Sequence, residues 1–232
     1  ALVRWAHPRL GDLAPEVFLP SVESTNLIDR LAPWTIEQAM AQSRDWEQTG
    51  TELGVAVKIS ERSLAGTSFV PGLGEVLREA GIPPQRLVVG VSEAVIMADV
   101  TRSAEMLAQC RDLGVRVSMD DFAAGHSSLS RLAHLPLDEV RVKADFMAAV
   151  CDEGLHEEGM TVIQSIIDLC HDRRLQVVAS GVVTTAMWRL AADLGCDLVQ
   201  GEAVSPPLDP TSLSRWLEAG GLLPSSSVRQ AS

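Results

Sequence analysis

The chain has 232 residues, of which 46% are hydrophobic, and a formal net charge of -12 that arises from 19 basic and 31 acidic residues. This length suits one α/β barrel with a sizeable core. The acidic balance argues against a nucleic-acid-binding surface, which needs clustered Lys and Arg, but leaves open a small anionic ligand in a local basic pocket. The sequence shows neither a signal-like N-terminus nor an apolar run of about 18 residues, so we predict a soluble, cytoplasmic fragment without membrane contact of its own. Such a fragment is compatible with a longer, membrane-attached protein.

The first part of the chain predicts elements of mixed regularity. Residues 1–6, Ala-Leu-Val-Arg-Trp-Ala, predict a strand that starts without a preceding turn or cap. A long helix is predicted from about Ser24 to Glu47, a strand over Val55–Ser60 and a weak helix over Leu73–Ala80. Gly72-Leu-Gly74 is a lone Gly-x-Gly without a preceding strand, so it is a poor indication of phosphate binding.

From Leu87 onward, strands and helices alternate regularly. The predicted strands are 87–92, 115–120, 139–144, 176–179 and 197–200, and the predicted helices are 103–113, 127–135, one with a buried face of Met160, Ile163, Ile167 and Cys170, one over 187–194, and 212–217. With the strands near residues 1 and 55 this gives seven, and the alternation predicts a mostly parallel sheet.

The fold class that fits this pattern is α/β, a TIM-like (β/α)8 barrel. A closed barrel of this type needs eight strands, so we expect that the first strand precedes Ala1 and is missing from this chain. An open doubly wound sheet is the alternative, but no Gly-rich first turn between a strand and a helix supports it. The barrel domain is predicted over 1–223, and 224–232 is predicted to be a flexible tail.

The four cysteines, Cys110, Cys151, Cys170 and Cys196, show no Cys-x-x-Cys spacing. They are predicted to be reduced core residues of a cytosolic protein.

Two adjacent carboxylates, Asp120 and Asp121, end one apolar strand and precede a turn of small residues. Side chains alternate along a strand, so the two point to opposite faces unless the backbone turns between them. In α/β barrels, active sites form at these C-terminal strand ends. The plain alternative is that the pair ends a strand and caps the next helix.

Three segments carry a resemblance to a known family. They are Ala-Leu-Val-Arg-Trp at residues 1–5, Met-Asp-Asp-Phe-Ala-Ala-Gly-His-Ser-Ser-Leu at 119–129, and Leu-Gly-Cys-Asp-Leu-Val-Gln-Gly at 194–201. Through them the chain resembles the EAL-domain family over nearly all of residues 1–210. The resemblance implies a (β/α)8-like barrel of EAL type, and the active members of this bacterial family linearise cyclic di-GMP with divalent metals.

The departures from the family pattern concern the metal ligands that the resemblance implies. The expected oxygen ligands are absent or replaced at the position before Ala1, at Lys58, Gly90, Lys143, Ser180 and Val183, and the family Lys is Arg141. The family's functional residues are kept at Arg4, Glu93, Asp120, Asp121 and Gln200. In the family, the residue at Glu93 steadies the loop after the aspartate pair.

A physical interpretation agrees with these departures. The strand pattern places three cationic residues near the same strand ends as the aspartates, namely Lys58, Arg141 and Lys143. Protein cations therefore occupy the place where metal ions would balance the carboxylates. Two interpretations stay open: the cations form salt bridges that plug the barrel mouth, or they hold phosphates in place of the metals.

We therefore predict a catalytically inactive EAL-type domain in cyclic di-GMP signalling that acts as a nucleotide receptor without metal. The alternative is a docking module for a protein partner that binds no nucleotide, and the third candidate is an active phosphodiesterase, which alone would need a divalent metal such as Mg²⁺. The predicted ligand-binding residues are Arg4, Lys58, Asp120, Asp121, Arg141, Lys143 and Gln200, and Glu93 is predicted to stabilise the loop. No catalytic residue, metal ligand or cofactor is predicted. A homodimer is left open, because family members often pair through helices beside that loop.

Overall fold

The computed structural model describes residues 1–66, 68–122, 132, 134–143, 146 and 156–221. The chain forms two compact units, the first with residues 1–119 and 134–137 and the second with 120–133 and 138–232. The boundary lies within one strand, β5 (Arg116–Phe122), whose last residues carry the aspartate pair.

The first unit alternates strands and helices from residue 55 onward. Its described elements are β1 (Trp5–His7), β2 (Gly11–Leu13), α1 (Pro15–Glu23), α2 (Ile28–Gln48), β3 (Val55–Lys58), α3 (Glu61–Ala65), α4 (Phe69–Ala80), a 3-10 turn (Pro84–Arg86), β4 (Leu87–Ser92), α5 (Glu93–Ala98), α6 (Val100–Asp112) and the start of β5. Strands β3 and β4 pair in parallel, with Lys58 opposite Gly90.

The second unit continues the same alternation. Its described elements are the end of β5, β6 (Glu139–Val142), α7 (His156–Asp172), β7 (Gln176–Ser180), α8 (Thr185–Asp193), β8 (Leu198–Gln200) and α9 (Pro210–Glu218). The strands lie in the order β5-β6-β7-β8. Because β6, β7 and β8 pair in parallel, their C-terminal ends meet at one edge, where Ser180 lies opposite Gln200.

The buried residues explain why these segments form strands and helices. Strand β4 is a continuous apolar run from Leu87 to Val91 with every residue buried, as expected for a parallel strand covered on both faces. Along α7, Ile163, Ile167 and Cys170 are each at most 1% exposed, which confirms three of the four residues of the predicted buried face, while Met160 is only half-buried. None of the described helices is both long and apolar enough to span a bilayer.

The prediction of a barrel strand over residues 1–6 is wrong. Trp5–His7 instead pairs antiparallel with Gly11–Leu13 in a hairpin. The reason is a local contact: Nδ1 of His7 accepts hydrogen bonds from the backbone N–H groups of Arg9 and Leu10, at 3.2 and 3.1 Å, and so closes the turn. The parallel series therefore begins at β3, and the seven predicted strands become the six described strands from β3 to β8.

Several helix boundaries also differ from the predictions. The long helix begins at Ile28 rather than near residue 24, and the short helices α1, α3 and α5 were not predicted. Gly72-Leu-Gly74 lies inside α4, so it forms no phosphate-binding loop, and the helix ends where Gly81 adopts a φ of 68°. The predicted tail over 224–232 and most of the helix predicted over 127–135 lie outside the described residues.

Candidate functional site

The aspartate pair lies where the backbone departs from regular strand geometry. Asp121 has a φ of 61°, in the left-handed region that side chains other than Asn, Asp and Gly rarely adopt. From the sequence, the two carboxylates could avoid opposite faces of the strand only if the backbone turned between them. The structure shows such a turn at Asp121. Asp120 is 8% exposed and Asp121 is half-buried.

A largely buried arginine, Arg141, lies beside Asp120. Nε of Arg141 donates to Oε1 of Glu139 at 2.8 Å and lies 3.4 Å from Oδ1 of Asp120. Nη1 of Arg141 donates to Oε1 of Gln200 at 3.1 Å. The side chains of Arg141, Asp120 and Glu139 are only 16%, 11% and 3% exposed. Hydrogen bonds between ionised partners in such an environment are strong, so this network fixes the guanidinium.

Lys143 accompanies Asp121 more loosely. Its Nζ lies 4.0 Å from Oδ1 of Asp121, and the two side chains are 41% and 34% exposed. This confirms the predicted salt-bridge range between Lys143 and the aspartate pair. Partly exposed pairs of this kind contribute about 0–1 kcal/mol, so the ammonium group can change partners at little cost.

Hydrogen bonds to backbone carbonyls connect the neighbouring strand ends. The hydroxyl of Ser180 donates to the carbonyl of Val142 at 2.8 Å, and the N–H of Val182 donates to the carbonyl of Gln200 at 3.0 Å. Gly201 packs so closely on Val182 that a Cβ at this position would clash with the Val182 carbonyl oxygen. These contacts fix the segment from which the exposed side chain of Gln200 projects.

The first unit contains the other predicted site residues. Lys58 is the exposed last residue of β3, and the guanidinium of exposed Arg4 donates to the carbonyl of Val3 at 3.0 Å. Glu93 is 2% exposed at the start of α5. The loop that it is expected to steady begins at residue 123, outside the described residues. The predicted pairing of Lys58 with the aspartates stays a prediction.

Glu139 is the site residue that the sequence analysis missed. It lies two positions before Arg141 on β6, so both side chains are on the same face of the strand. An acid at this spacing from a strand arginine was the available signal. Its almost complete burial could not be read from the spacing.

The donor set does not fit a centre with two divalent metals. Asp120 and Asp121 each lie beside a protein cation, and the side-chain oxygen of Gln200 is bound to Arg141. Among the residues that the structure describes, no group of three or more His, Cys, Asp and Glu side chains could hold a metal ion. A metal centre needs a dense set of oxygen ligands, whereas guanidinium and ammonium groups occupy those oxygens and repel the metal cation.

A separate cavity in the first unit has a volume of about 430 Å³. It is lined by Asp29, Pro33, Arg62, Ser63, Gly66, Ser68 and Phe69. Arg62 donates to the carbonyls of Glu23 and Thr25 and forms a 3.1 Å ion pair with Asp29. Its guanidinium therefore serves to join the loop before α2 to α3.

The described cysteines are free thiols and are poor nucleophiles. Burial raises the pKa of Cys110 to about 12 and that of Cys170 and Cys196 to about 11, and the nearby carboxylate of Asp197 adds to the last two shifts. Cys110 and Cys170 are core residues as predicted, and Cys196 is half-buried. Cys151 lies outside the described residues.

Comparison with known proteins identifies the family. A sequence profile of the EAL domain matches residues 1–207. The chain is 33% identical over 217 residues to the signalling protein YkoW of Bacillus subtilis and 35% identical over 220 residues to the cyclic di-GMP phosphodiesterase NbdA of Pseudomonas aeruginosa. Each match covers 94% of this chain but only 27% and 28% of those proteins, so the chain spans about a quarter of their length.

A solved structure of the PaMucR phosphodiesterase in complex with c-di-GMP is also similar. It has a TM-score of 0.85 and 31% sequence identity, and the match covers 92% of this chain and 85% of that one. This similarity confirms the predicted fold class, a TIM-like barrel of EAL type. The chain belongs to the EAL domain family.

Proposed function

We propose that this chain is a non-catalytic EAL domain that binds cyclic di-GMP without a divalent metal. The observation that carries the proposal is that both carboxylates of the aspartate pair lie beside protein cations, Arg141 for Asp120 and Lys143 for Asp121. Similarity to NbdA and PaMucR supports cyclic di-GMP as the ligand, since the first is named as a phosphodiesterase of this nucleotide and the second was solved with it.

Lys143 is the cation best able to meet a phosphate. Arg141 is held by Glu139, Asp120 and Gln200, whereas the ammonium group of Lys143 lies 4.0 Å from Asp121 among the described residues and its side chain is partly exposed. An ammonium group can exchange a weak pair with Asp121 for a shorter, charge-assisted bond to a phosphate oxygen. The 232-residue sequence contains two lysines, Lys58 and Lys143. Lys58 is the last residue of β3, and Lys143 directly follows β6.

The matched pair of variants Lys143→Ala and Arg215→Ala tests the proposal. Both remove one positive charge, but Arg215 lies on the exposed side of α9. Charge-assisted phosphate contacts contribute about 1.5–3 kcal/mol, so Lys143→Ala should weaken binding in EDTA by roughly tenfold to a hundredfold, while Arg215→Ala should leave the affinity unchanged. Titration calorimetry measures both. Equal affinity of Lys143→Ala and wild type would contradict the role of Lys143.

Docking of a protein partner is the second candidate, and a specific observation favours it. Among the residues that the structure describes, ion pairs join the carboxylates of Asp120, Asp121 and Glu139 to the cations Arg141 and Lys143, and these five groups together carry a net charge of about -1. Such a network disfavours an anion. If the domain only docks a protein, the wild type shows no nucleotide binding in EDTA even at millimolar concentration, and Lys143→Ala changes stability alone.

The third candidate, an active phosphodiesterase, makes a separate forecast. Turnover of cyclic di-GMP by the pure protein in magnesium or manganese, abolished by Asp120→Asn, would establish it. We expect no turnover, because the side chains that would have to bind the metals are replaced or ion-paired.

A further inference from the structure

The side-chain amide of Gln200 has its polarity set by Arg141. A guanidinium has N–H donors and no acceptor, so the Gln200 atom that faces Nη1 at 3.1 Å must be the carbonyl oxygen. The amide nitrogen then points away from Arg141. Since Gln200 is exposed, this NH₂ group is presented to the solvent side of the strand end.

Arg141 can impose this orientation because it is itself fixed. Its Nε is hydrogen-bonded to Glu139 at 2.8 Å, and the side chain of Glu139 is only 3% exposed. The backbone carbonyl of Gln200 accepts a hydrogen bond from the N–H of Val182, and this bond fixes the backbone of Gln200. The amide therefore has little freedom to rotate while both partners stay in place.

We infer that Arg141 is a positioning residue that makes Gln200 a hydrogen-bond donor to an anionic oxygen of the ligand. A metal ion would need the amide oxygen, which is already bound, whereas a phosphate oxygen accepts from the amide N–H groups. The amide of Gln200 thus offers its N–H groups to a hydrogen-bond acceptor at this strand end. This inference rests on the proposed nucleotide binding and assigns one of its contacts.

The substitution Gln200→Glu tests the inference with little change of shape. A carboxylate still accepts the hydrogen bond from Arg141, so the melting temperature should stay the same or rise. Its second oxygen replaces the outward amide nitrogen and repels a phosphate, so the affinity for cyclic di-GMP in EDTA should fall at least tenfold. Gln38→Glu is the control, because it adds the same charge at an exposed position of α2 and should leave the affinity unchanged.

Two variants of Arg141 test the positioning role. Lysine also donates hydrogen bonds, so Arg141→Lys should keep more of the affinity than Arg141→Met, which offers no donor to hold the amide oxygen. In a double-mutant cycle, Arg141→Met should cost little affinity once Gln200→Ala is present, although it still lowers stability. A role confined to folding would instead give the same loss of affinity in both backgrounds and overturn the inference.

The outcomes also separate this inference from the proposed function. If the wild type fails to bind cyclic di-GMP, both are wrong. If the wild type binds, Lys143→Ala weakens binding and Gln200→Glu binds as tightly as wild type, the proposed function stands and the donor role of Gln200 is overturned.

Discussion

Asp121 holds a backbone conformation that few side chains tolerate. Its φ of 61° costs an L-residue about 1–2 kcal/mol, less for Asp and Asn and nothing for Gly. We expect Asp121→Val to lower the free energy of unfolding by about that amount and Asp121→Gly to leave it nearly unchanged, although both remove the carboxylate. Urea denaturation measures the difference. If the two variants are equally unstable, the loss comes from the ion pair with Lys143 and not from the backbone.

Because Arg141 and Glu139 form an ion pair, we expect substitutions at these two residues to have strongly non-additive effects on the free energy of unfolding. Removing one partner of a buried ion pair costs about 3–5 kcal/mol, whereas replacing both by apolar groups is often nearly neutral. Arg141→Met alone should therefore destabilise the protein strongly, and Arg141→Met with Glu139→Leu should recover much of the loss. Unfolding free energies of the four proteins in this cycle give the coupling. Simple additivity would show that the 2.8 Å contact contributes little to the fold.

At the scale of elements, two glycines serve as a matched pair. Gly201 has a φ of 153° and no room for a Cβ beside Val182, whereas Gly72 lies inside α4 with nothing within 4 Å of an added Cβ. Gly201→Ala should destabilise the protein by more than about 2 kcal/mol, because β8 must move. Gly72→Ala should stabilise it by about 0.5–1 kcal/mol through reduced chain entropy.

Thermal melting of both variants checks this pair of predictions. A stable Gly201→Ala protein would show that the turn after β8 adapts easily. In that case the orientation of Gln200 would not depend on this turn.

The elements differ in how far the sequence could predict them. Strands β4 and β7 are apolar runs whose burial on both faces is encoded in consecutive residues, so they were predicted nearly to the residue. The hairpin at residues 5–13 was missed because the residue pattern of its first strand is the same as that of a barrel strand. The deciding contact is made by the ring of His7, which accepts hydrogen bonds from backbone N–H groups. Glu139 was missed because burial depends on residues distant in sequence.

At the scale of the whole molecule, the buried thiols predict a loss of stability at alkaline pH. The folded-state pKa values of about 11 to 12 lie above the ordinary value of 9.0, so between these limits the unfolded chain releases thiol protons that the folded chain keeps. Stability conferred by the neutral thiols is therefore complete below pH 9 and falls as the pH rises toward 11–12.

Urea midpoints measured from pH 8 to 11 check this dependence. Replacing Cys110 and Cys170 by Ala should lower the midpoint at pH 8 but reduce its slope with pH. An identical slope would assign the alkaline loss to other groups.

Homodimer formation and a cytoplasmic location stay predictions from the sequence.

In the proposed function, protein cations take the place of metal ions at the aspartate pair. Titration calorimetry of the 232-residue chain with cyclic di-GMP, first in EDTA and then in excess magnesium, measures whether binding depends on a metal. We predict the same affinity in both buffers and recovery of the intact cyclic nucleotide afterwards. Binding that appears only with magnesium, or recovery of the linearised nucleotide, would contradict the claim.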